Sequence, residues 1–196
     1  MLSFRELNPS DAQKLLDWRT SDRISTSMKT EVEYNIKKQK IWLNSIFNDE
    51  SYYAWMIQFD RVDVGLLYIH NLDLKNKKTN WGFYLGDESV SGKGIGKTIP
   101  PCLYKFLFET FHLNTVFTEV LYDNLAVIKL HLSQGAKFQP RESYVIEKGG
   151  KESLIICLSL DRKRFEMMDF RFDCETLPTF KWKANPLRDA RNASTI

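Results

Sequence analysis

The stretch Ser91-Gly92-Lys93-Gly94-Ile95-Gly96-Lys97-Thr98 places three glycines and two lysines within eight residues. Before it, Trp81, Phe83 and Leu85 alternate with other residues, the period of a strand. After it, Ile99, Cys102, Leu103, Phe106, Leu107 and Thr110 recur at three- and four-residue steps, one face of a helix. Strand, glycine-rich turn and helix aim unpaired backbone amides and the positive end of a helix dipole at an anion, and glycine lets that anion come close. The loop therefore reads as a pyrophosphate cradle, with Lys93 and Lys97 adding charge.

A Walker A loop requires Gly-x-x-x-x-Gly-Lys-Ser/Thr, and here Ser91 stands where its first glycine belongs. A Walker B-like run exists in Leu154–Leu160 followed by Asp161, but too few residues follow the loop to wind such a sheet. The stretch fits Gln/Arg-x-x-Gly-x-Gly/Ala better, with Gly94 and Gly96 in place and Ser91 at the Gln/Arg position. That pattern resembles the acyl-CoA loop of the GNAT N-acetyltransferase superfamily. A second segment, Asn124 to Ala136, is similar to the superfamily's Asn-x-x-Ala-x-x-Leu-Tyr-x-x-x-Gly-Phe helix. Asn124, Leu130 and Gly135 match it, Val127 and Ala136 depart mildly, and His131 replaces the tyrosine.

The rest of the chain supplies elements in a compatible order. Leu2–Leu7 reads as a strand, and Asn8-Pro9-Ser10-Asp11 as a capped helix start leading to Leu15, Leu16 and Trp18. A second helix is expected over Glu31–Phe47, with Ile36, Ile41, Leu43 and Phe47 inward. Strands at Tyr52–Phe59 and Val64–His70 flank the polar turn Asp60–Asp63. Thr115–Leu121 is a further strand, followed by a helix with Val127, Ile128 and Leu132 inward and Gly135 at its end. A closing hairpin turns at Lys148-Gly149-Gly150. Pro100 and Pro101 each lack a donor, so the helix after the loop must have its first turn near Gly96. The resemblance implies an α/β GNAT fold: a mixed central sheet of about seven strands with about four helices over residues 1–165, then an extension over 166–196.

Composition narrows the partners. A net charge of +3 without basic clustering argues against nucleic acid. No apolar run is long enough to span a membrane and no signal-peptide core opens the chain, so a cytoplasmic protein is expected. Cys102, Cys157 and Cys174 are odd in number and widely spaced, which suggests neither a disulfide framework nor a metal site. Cys102 and Cys157 read as core residues. In the extension, Phe170, Phe172, Phe180 and Trp182 are expected to dock on the domain or on a second subunit, as in a homodimer, with residues 188–196 loose.

The resemblance also implies chemistry: acetyl-CoA as cosubstrate, no metal, and an amine as acceptor. Phe83, Tyr84 and Leu85 correspond to the strand whose free backbone holds pantetheine and the acetyl carbonyl. Ser91, Gly92, Lys93, Gly94, Ile95, Gly96 and Lys97 correspond to the pyrophosphate loop, with Asn124 a further contact. Glu119 is placed to accept the amine proton, and His131 takes the position of the tyrosine that protonates the thiolate. A histidine can donate through a charged ring or through the N–H of a neutral one, and a charged donor would give a bell-shaped rate profile with an alkaline fall near neutrality. For the acceptor, Trp18-Arg19, Arg23-Ile24 and Met28 resemble a segment of the bacterial nucleotide-sugar N-acetyltransferases of pseudaminic acid synthesis, which serves flagellin glycosylation. Gln39, Trp42, Asn80 and Trp81 fall where those enzymes line the sugar-nucleotide pocket. Arg19 and Arg23 could grip a diphosphate bidentately, and the tryptophans could stack on uracil or a sugar. The implied acceptor is the 4-amino group of a UDP-4-amino-4,6-dideoxy-N-acetyl-β-L-altrosamine type of substrate. The alternatives are a ribosomal-protein or peptide N-terminal acetyltransferase, and a CoA-binding module inactivated at His131.

If the loop cradles the CoA pyrophosphate, acetyl-CoA will raise the melting temperature and ATP with magnesium will not. Gly94→Val and Gly96→Val will abolish that rise, since both close the approach to backbone amides.

Overall fold

The computed structural model describes residues 1–178. Strand β1 (Leu2–Glu6) leads through a one-turn 3-10 helix (Pro9–Asp11) into α1 (Ala12–Thr20) and the short α2 (Asp22–Ser25). Asn8 and Asp11 cap the entry reciprocally, as the sequence predicts. Helix α3 (Ile36–Phe47) precedes β2 (Tyr53–Phe59), β3 (Val62–Asp73) and β4 (Lys78–Leu85). After the glycine loop come α4 (Ile99–Lys105) and a wide π turn (Phe106–Thr110), then β5 (Thr115–Leu121) and α5 (Leu125–Ser133). The two-residue β6 (Lys137–Phe138), β7 (Tyr144–Lys148), β8 (Lys151–Asp161) and α6 (Arg162–Glu166) complete the domain.

All eight strands belong to one sheet in the order β1-β2-β3-β4-β5-β8-β6, with β7 also on β8. Every pairing is antiparallel except β4 with β5, which is parallel. That pairing lasts only from Lys78↔Thr115 to Trp81↔Thr118. Beyond it β4 stays bonded to β3 as far as Leu85, and β5 stays bonded to β8 as far as Leu121. The two strands part while each keeps its outer partner, so the sheet opens into a V between them.

Helix faces fill both sides of the sheet. Tyr53, Trp55 and Ile57 of β2 pack with α4, the π turn and Phe165, while Ala54 and Met56 face α1 and α3. A strand buried on both faces is continuously apolar, and Tyr53 to Ile57 is. Arg5 fastens β1 to its neighbours, donating to the carboxylates of Asp11 (2.8 and 2.9 Å) and Asp63 (2.6 and 2.9 Å). That guanidinium, with Lys14 and Gln58, holds the Asp63 carboxyl well below the usual range against the upward pull of burial.

Several expectations are corrected here. Helix α3 begins at Ile36 rather than Glu31, because the Asn35 side chain accepts from the amides of Lys37 and Lys38 and fixes the start. Ile41 is exposed, and Leu43 and Ile46 are the buried contacts. Leu132 is likewise exposed, and its neighbour His131 faces inward instead. The double proline is accommodated in the first turn of α4, preceded by a 3-10 turn at Ile95–Lys97.

The largest correction concerns cysteine. Cys102, buried in α4, is joined to Cys174 by a disulfide with its Cα atoms 6.3 Å apart. Cys157 remains a free, buried thiol. The extension does dock on the domain: Phe170 stacks on Phe165 and lies 5.9 Å from Tyr104. Cys174 bridges to Leu2, and Glu175 donates its amide to the Leu2 carbonyl at 2.8 Å. Phe180, Trp182 and residues 188–196 lie outside the described residues.

A cross-link closing so long a loop restricts the unfolded chain by about 4 kcal/mol in the entropic account, of which part is usually realised. Cys174→Ser is expected to lower the melting temperature by about 5–10 °C. A dithiol reductant should lower the wild type equally and leave Cys174→Ser unmoved.

Candidate active site

Two cavities meet at the opening of the V. The first, a groove of about 630 Å³, runs from the glycine loop to α5. Phe83, Tyr84 and Leu85 form one wall, and Thr118, Glu119 and Val120 form the other. Phe83 to Leu85, Glu119 and Val120 lie past the last β4–β5 pair, Trp81↔Thr118, so the β4 edge facing the groove carries no partner strand. The loop closes one end with Gly92, Gly94, Gly96 and Lys97. Gly92 (φ 73°) and Gly94 (φ 75°) occupy left-handed backbone, which a side chain would strain. The loop's own turns use the amides of Ser91, Lys93, Lys97 and Thr98. Among the described residues no backbone carbonyl accepts from Gly92, Gly94 or Gly96. Unspent amides with open space beside Gly92 and Gly94 fit a pyrophosphate.

At the groove's other end stand Asn124 and His131. Asn124 begins α5 without spending its side chain on a cap. His131 is only 2% exposed, its Nδ1 is buried without a hydrogen-bond partner, and its ring stands edge-on to Trp81 with centroids 5.2 Å apart. Burial pushes the imidazole down to about 4, so it is neutral at pH 7. Of the two donor forms open to a histidine there, burial favours the neutral ring.

The second cavity, about 420 Å³, lies between α1, α3 and the outer face of β3 and β4. Its walls include Arg19, Gln39, Trp42, Tyr52, Tyr68, His70 and Tyr84. Arg19 donates to the Thr30 carbonyl (2.6 Å) and hydroxyl (2.7 Å) through Nη2, while its Nη1 is buried with no partner. Burial pushes this guanidinium down and the phenols of Tyr52, Tyr68 and Tyr84 up, so the tyrosines stay protonated. The cavity's carboxylates, Glu31 and Glu33, are exposed at its rim, and Glu33 is paired with Lys38. Met28, Tyr68 and Tyr84 line both cavities and so mark their junction. A Cβ on Gly82 would come within 2.6 Å of the Tyr68 hydroxyl, so the missing side chain there lets Tyr68 lie across the parting strand.

The residues singled out from sequence sort into four groups. Phe83, Tyr84, Leu85, Gly92, Gly94, Gly96, Lys97, Asn124, Glu119 and His131 come together around the groove, joined by Arg23 and Met28. Ser91 and Lys93 are exposed on the loop, and Ile95 is buried beneath it. Arg19, Met28, Gln39 and Trp42 line the second cavity. Trp18, Asn80 and Trp81 line neither. The Trp18 ring packs over Gly86, and Trp81 is core between Tyr104 and His131. Asn80 sits in the paired part of β4, opposite His70 and Phe117. Arg23 spends its guanidinium on the Gly86 carbonyl at 2.6 Å, on the groove side rather than beside Arg19. Tyr52, Tyr68, His70 and Lys29 were missed. Tyr68 and His70 alternate with buried Leu67 and Ile69, a polar-tipped face that strand periodicity could have flagged. Among the described residues no group of three or more His, Cys, Asp or Glu could hold a metal ion. No helix among them is long and apolar enough to cross a membrane.

Known proteins share this arrangement. The family described as Acetyltransferase (GNAT) domain matches residues 1–137. Acetyltransferase PseH of Campylobacter jejuni is 23% identical over 177 residues, covering 90% of this chain and 97% of that protein. Spermidine N-acetyltransferase of Vibrio cholerae, solved with CoA and spermine, superposes with a TM-score of 0.76 at 14% identity, over 84% of this chain and 98% of that one. An aminoglycoside acetyltransferase solved with coenzyme A gives 0.68 at 16% identity, over 85% and 98% of the two chains. A split parallel pair, a loop of unspent amides and a family match over residues 1–137 lead to one conclusion: the chain belongs to the GNAT acetyltransferase family and is an acetyl-CoA-dependent N-acetyltransferase.

Proposed function

We propose that the protein acetylates the amino group of a nucleotide-linked amino sugar, with the 4-amino-4,6-dideoxy UDP-sugar type as the best fit. The observation that carries this reading is the buried, unpartnered Nη1 of Arg19 in a cavity whose carboxylates stand only at its exposed rim. A polycation such as spermidine would need carboxylates deep in its site. A diphosphate needs a guanidinium, and Arg19 supplies one with a free donor. Tyr52, Tyr68, Tyr84 and Gln39 offer hydroxyls and an amide to sugar hydroxyls, and Trp42 offers an aromatic face. Similarity to PseH over 90% of the chain supports the same class.

Bound acetyl-CoA supplies a thioester carbonyl to the attacking amine and leaves as a thiol. The unpaired edge of β4 at Phe83 to Leu85 holds pantetheine and polarises the carbonyl through backbone amides, while Gly92, Gly94 and Gly96 hold the pyrophosphate. Asn124 reaches pantetheine with its uncommitted side chain. Glu119 accepts the amine proton, directly or through water. His131 donates to the departing sulfur as a neutral imidazole.

Incubation with acetyl-CoA and a panel of UDP- and dTDP-amino sugars, spermidine and an N-terminal peptide, read as thiol release, tests the class. A UDP-4-amino sugar is expected to be the best acceptor, and a preference for spermidine or peptide would overturn the reading. Arg19→Ala should weaken UDP binding by about tenfold to a hundredfold, one charge-assisted contact, with acetyl-CoA affinity unchanged. His131→Ala should lower kcat by about a hundredfold with little change in the KM for acetyl-CoA, and His131→Tyr should retain activity. Because His131 is already neutral, the wild-type rate should show no alkaline fall between about pH 6 and 8.

A further inference from the structure

Lys29 belongs to no motif, yet it stands where the two cavities join. It lines the acceptor cavity, while its ion-pair partner Glu119 lines the groove. The same ammonium donates to the Tyr144 hydroxyl at 3.3 Å and lies 6.0 Å over that ring. Three elements thus converge on one charge: the loop after α2, β5 and β7. Both side chains of the pair are largely buried, with 32% and 16% of their surface exposed, so the charges are weakly screened by solvent.

We propose that Lys29 is a positioning residue whose fixed positive charge beside Glu119 keeps the acceptor amine in its neutral, attacking form. The proposal rests on the reading of Glu119 as proton acceptor and of the second cavity as the acceptor site. An alkyl amine free in water is mostly protonated at pH 7, as a lysine is with its reference pKa of about 10.4. A lone carboxylate at the junction would hold that ammonium and resist its deprotonation. A like charge within about 4–6 Å acts oppositely and favours the neutral amine. Paired with Lys29, Glu119 stays close enough to receive a proton but presents little net charge to trap a cation. In the transfer the amine nitrogen bonds to the acetyl carbon and the carbon–sulfur bond breaks. The amine's proton passes to Glu119 and on to solvent, while the sulfur leaves as a thiolate that the His131 N–H hydrogen-bonds and that water protonates to the thiol.

Other charged groups share the cavity: Arg19 brings a second cation to Tyr68, and Glu31 and Glu33, the latter paired with Lys38, stand at the exposed rim. Tyr68 and His70 face it from β3, Tyr144 from β7, and Cys157 from β8 beyond Glu119. Burial pushes Tyr68 up and His70 down, and Cys157 rises to about 11, so these three are neutral at pH 7. For Lys29 burial lowers the pKa, but Glu119 and Tyr144 outweigh it, and the ammonium persists.

The test is the pH profile of kcat, at saturating acceptor, for the wild type, Lys29→Met and Lys29→Arg, because kcat reports ionisations in the bound complex. The acceptors are a UDP-4-amino sugar, a less basic fluorinated analogue of it, and spermidine, each with saturating acetyl-CoA. Lys29→Met is expected to move the acid limb up by about one pH unit and so cut kcat at pH 7 about tenfold. Lys29→Arg should restore the wild-type profile, and the KM for acetyl-CoA should be the same in all three. In every protein the limb should follow the basicity of the acceptor. A limb that does not move in Lys29→Met overturns the proposal, as does one that moves but ignores acceptor basicity, since that reports Glu119 instead. If spermidine proves the preferred acceptor, the nucleotide-sugar reading falls, and the same shift read on spermidine still decides the role of Lys29.

Discussion

Everything functional in this protein hangs on the brevity of one strand pairing. β4 and β5 share four register pairs and then diverge, each still held by its outer neighbour. An unpaired strand edge in a protein interior is normally a cost, because its amides and carbonyls lose water without gaining partners. The V turns that cost into a binding surface, a ready edge for a ligand that carries amides of its own. The glycine loop follows β4, so the sites proposed for the pyrophosphate and for pantetheine lie along one continuous piece of backbone. The second cavity opens on the other side of β4, where Tyr84 and Tyr68 reach across. In the proposed function the two substrates therefore approach from opposite sides of one parted strand.

Burial divides the roles of the aromatic residues. Trp81 and Tyr84 sit three residues apart on the same strand and both are nearly covered. Trp81 lies in the paired part of β4 and packs under Tyr104 and His131, whereas Tyr84 lies past the split with a cavity on either side. The same packing that makes Trp81 structural also shapes His131. An imidazole standing edge-on to an indole, with no polar partner for Nδ1, has little to stabilise its charged form.

Local chemistry made much of this legible from the chain alone. The left-handed glycines of the loop, the reciprocal cap of Asn8 with Asp11, and the turn at Gly149-Gly150 follow from residue type, and so does the order of the longer elements, though not the short α2, β6 and α6. What escaped was tertiary. Nothing local distinguishes Trp18 or Trp81 in a core from a tryptophan lining a cavity, since both patterns are apolar and periodic. Lys29 and Glu119 are 90 residues apart, and their pairing depends on how the loop after α2 folds over β5. Cys102 and Cys174 escaped for the same reason: spacing carries no sign of a pairing that needs the extension to return to β1. The fold was readable because glycines and caps speak locally, and the acceptor side was not because its residues meet only through the sheet.

The cross-link described above has a topological side. Joining Cys102 to Cys174 makes residues 102–174 a covalent ring that contains β5 and β8, while β1 to β4 and the glycine loop form an open arm outside it. The boundary between ring and arm coincides with the V, so one wall of the groove is built from the closed part of the chain and the other from the open part. A backbone nick anywhere between residues 103 and 173 would leave the two pieces joined through sulfur, whereas a nick in the arm would not.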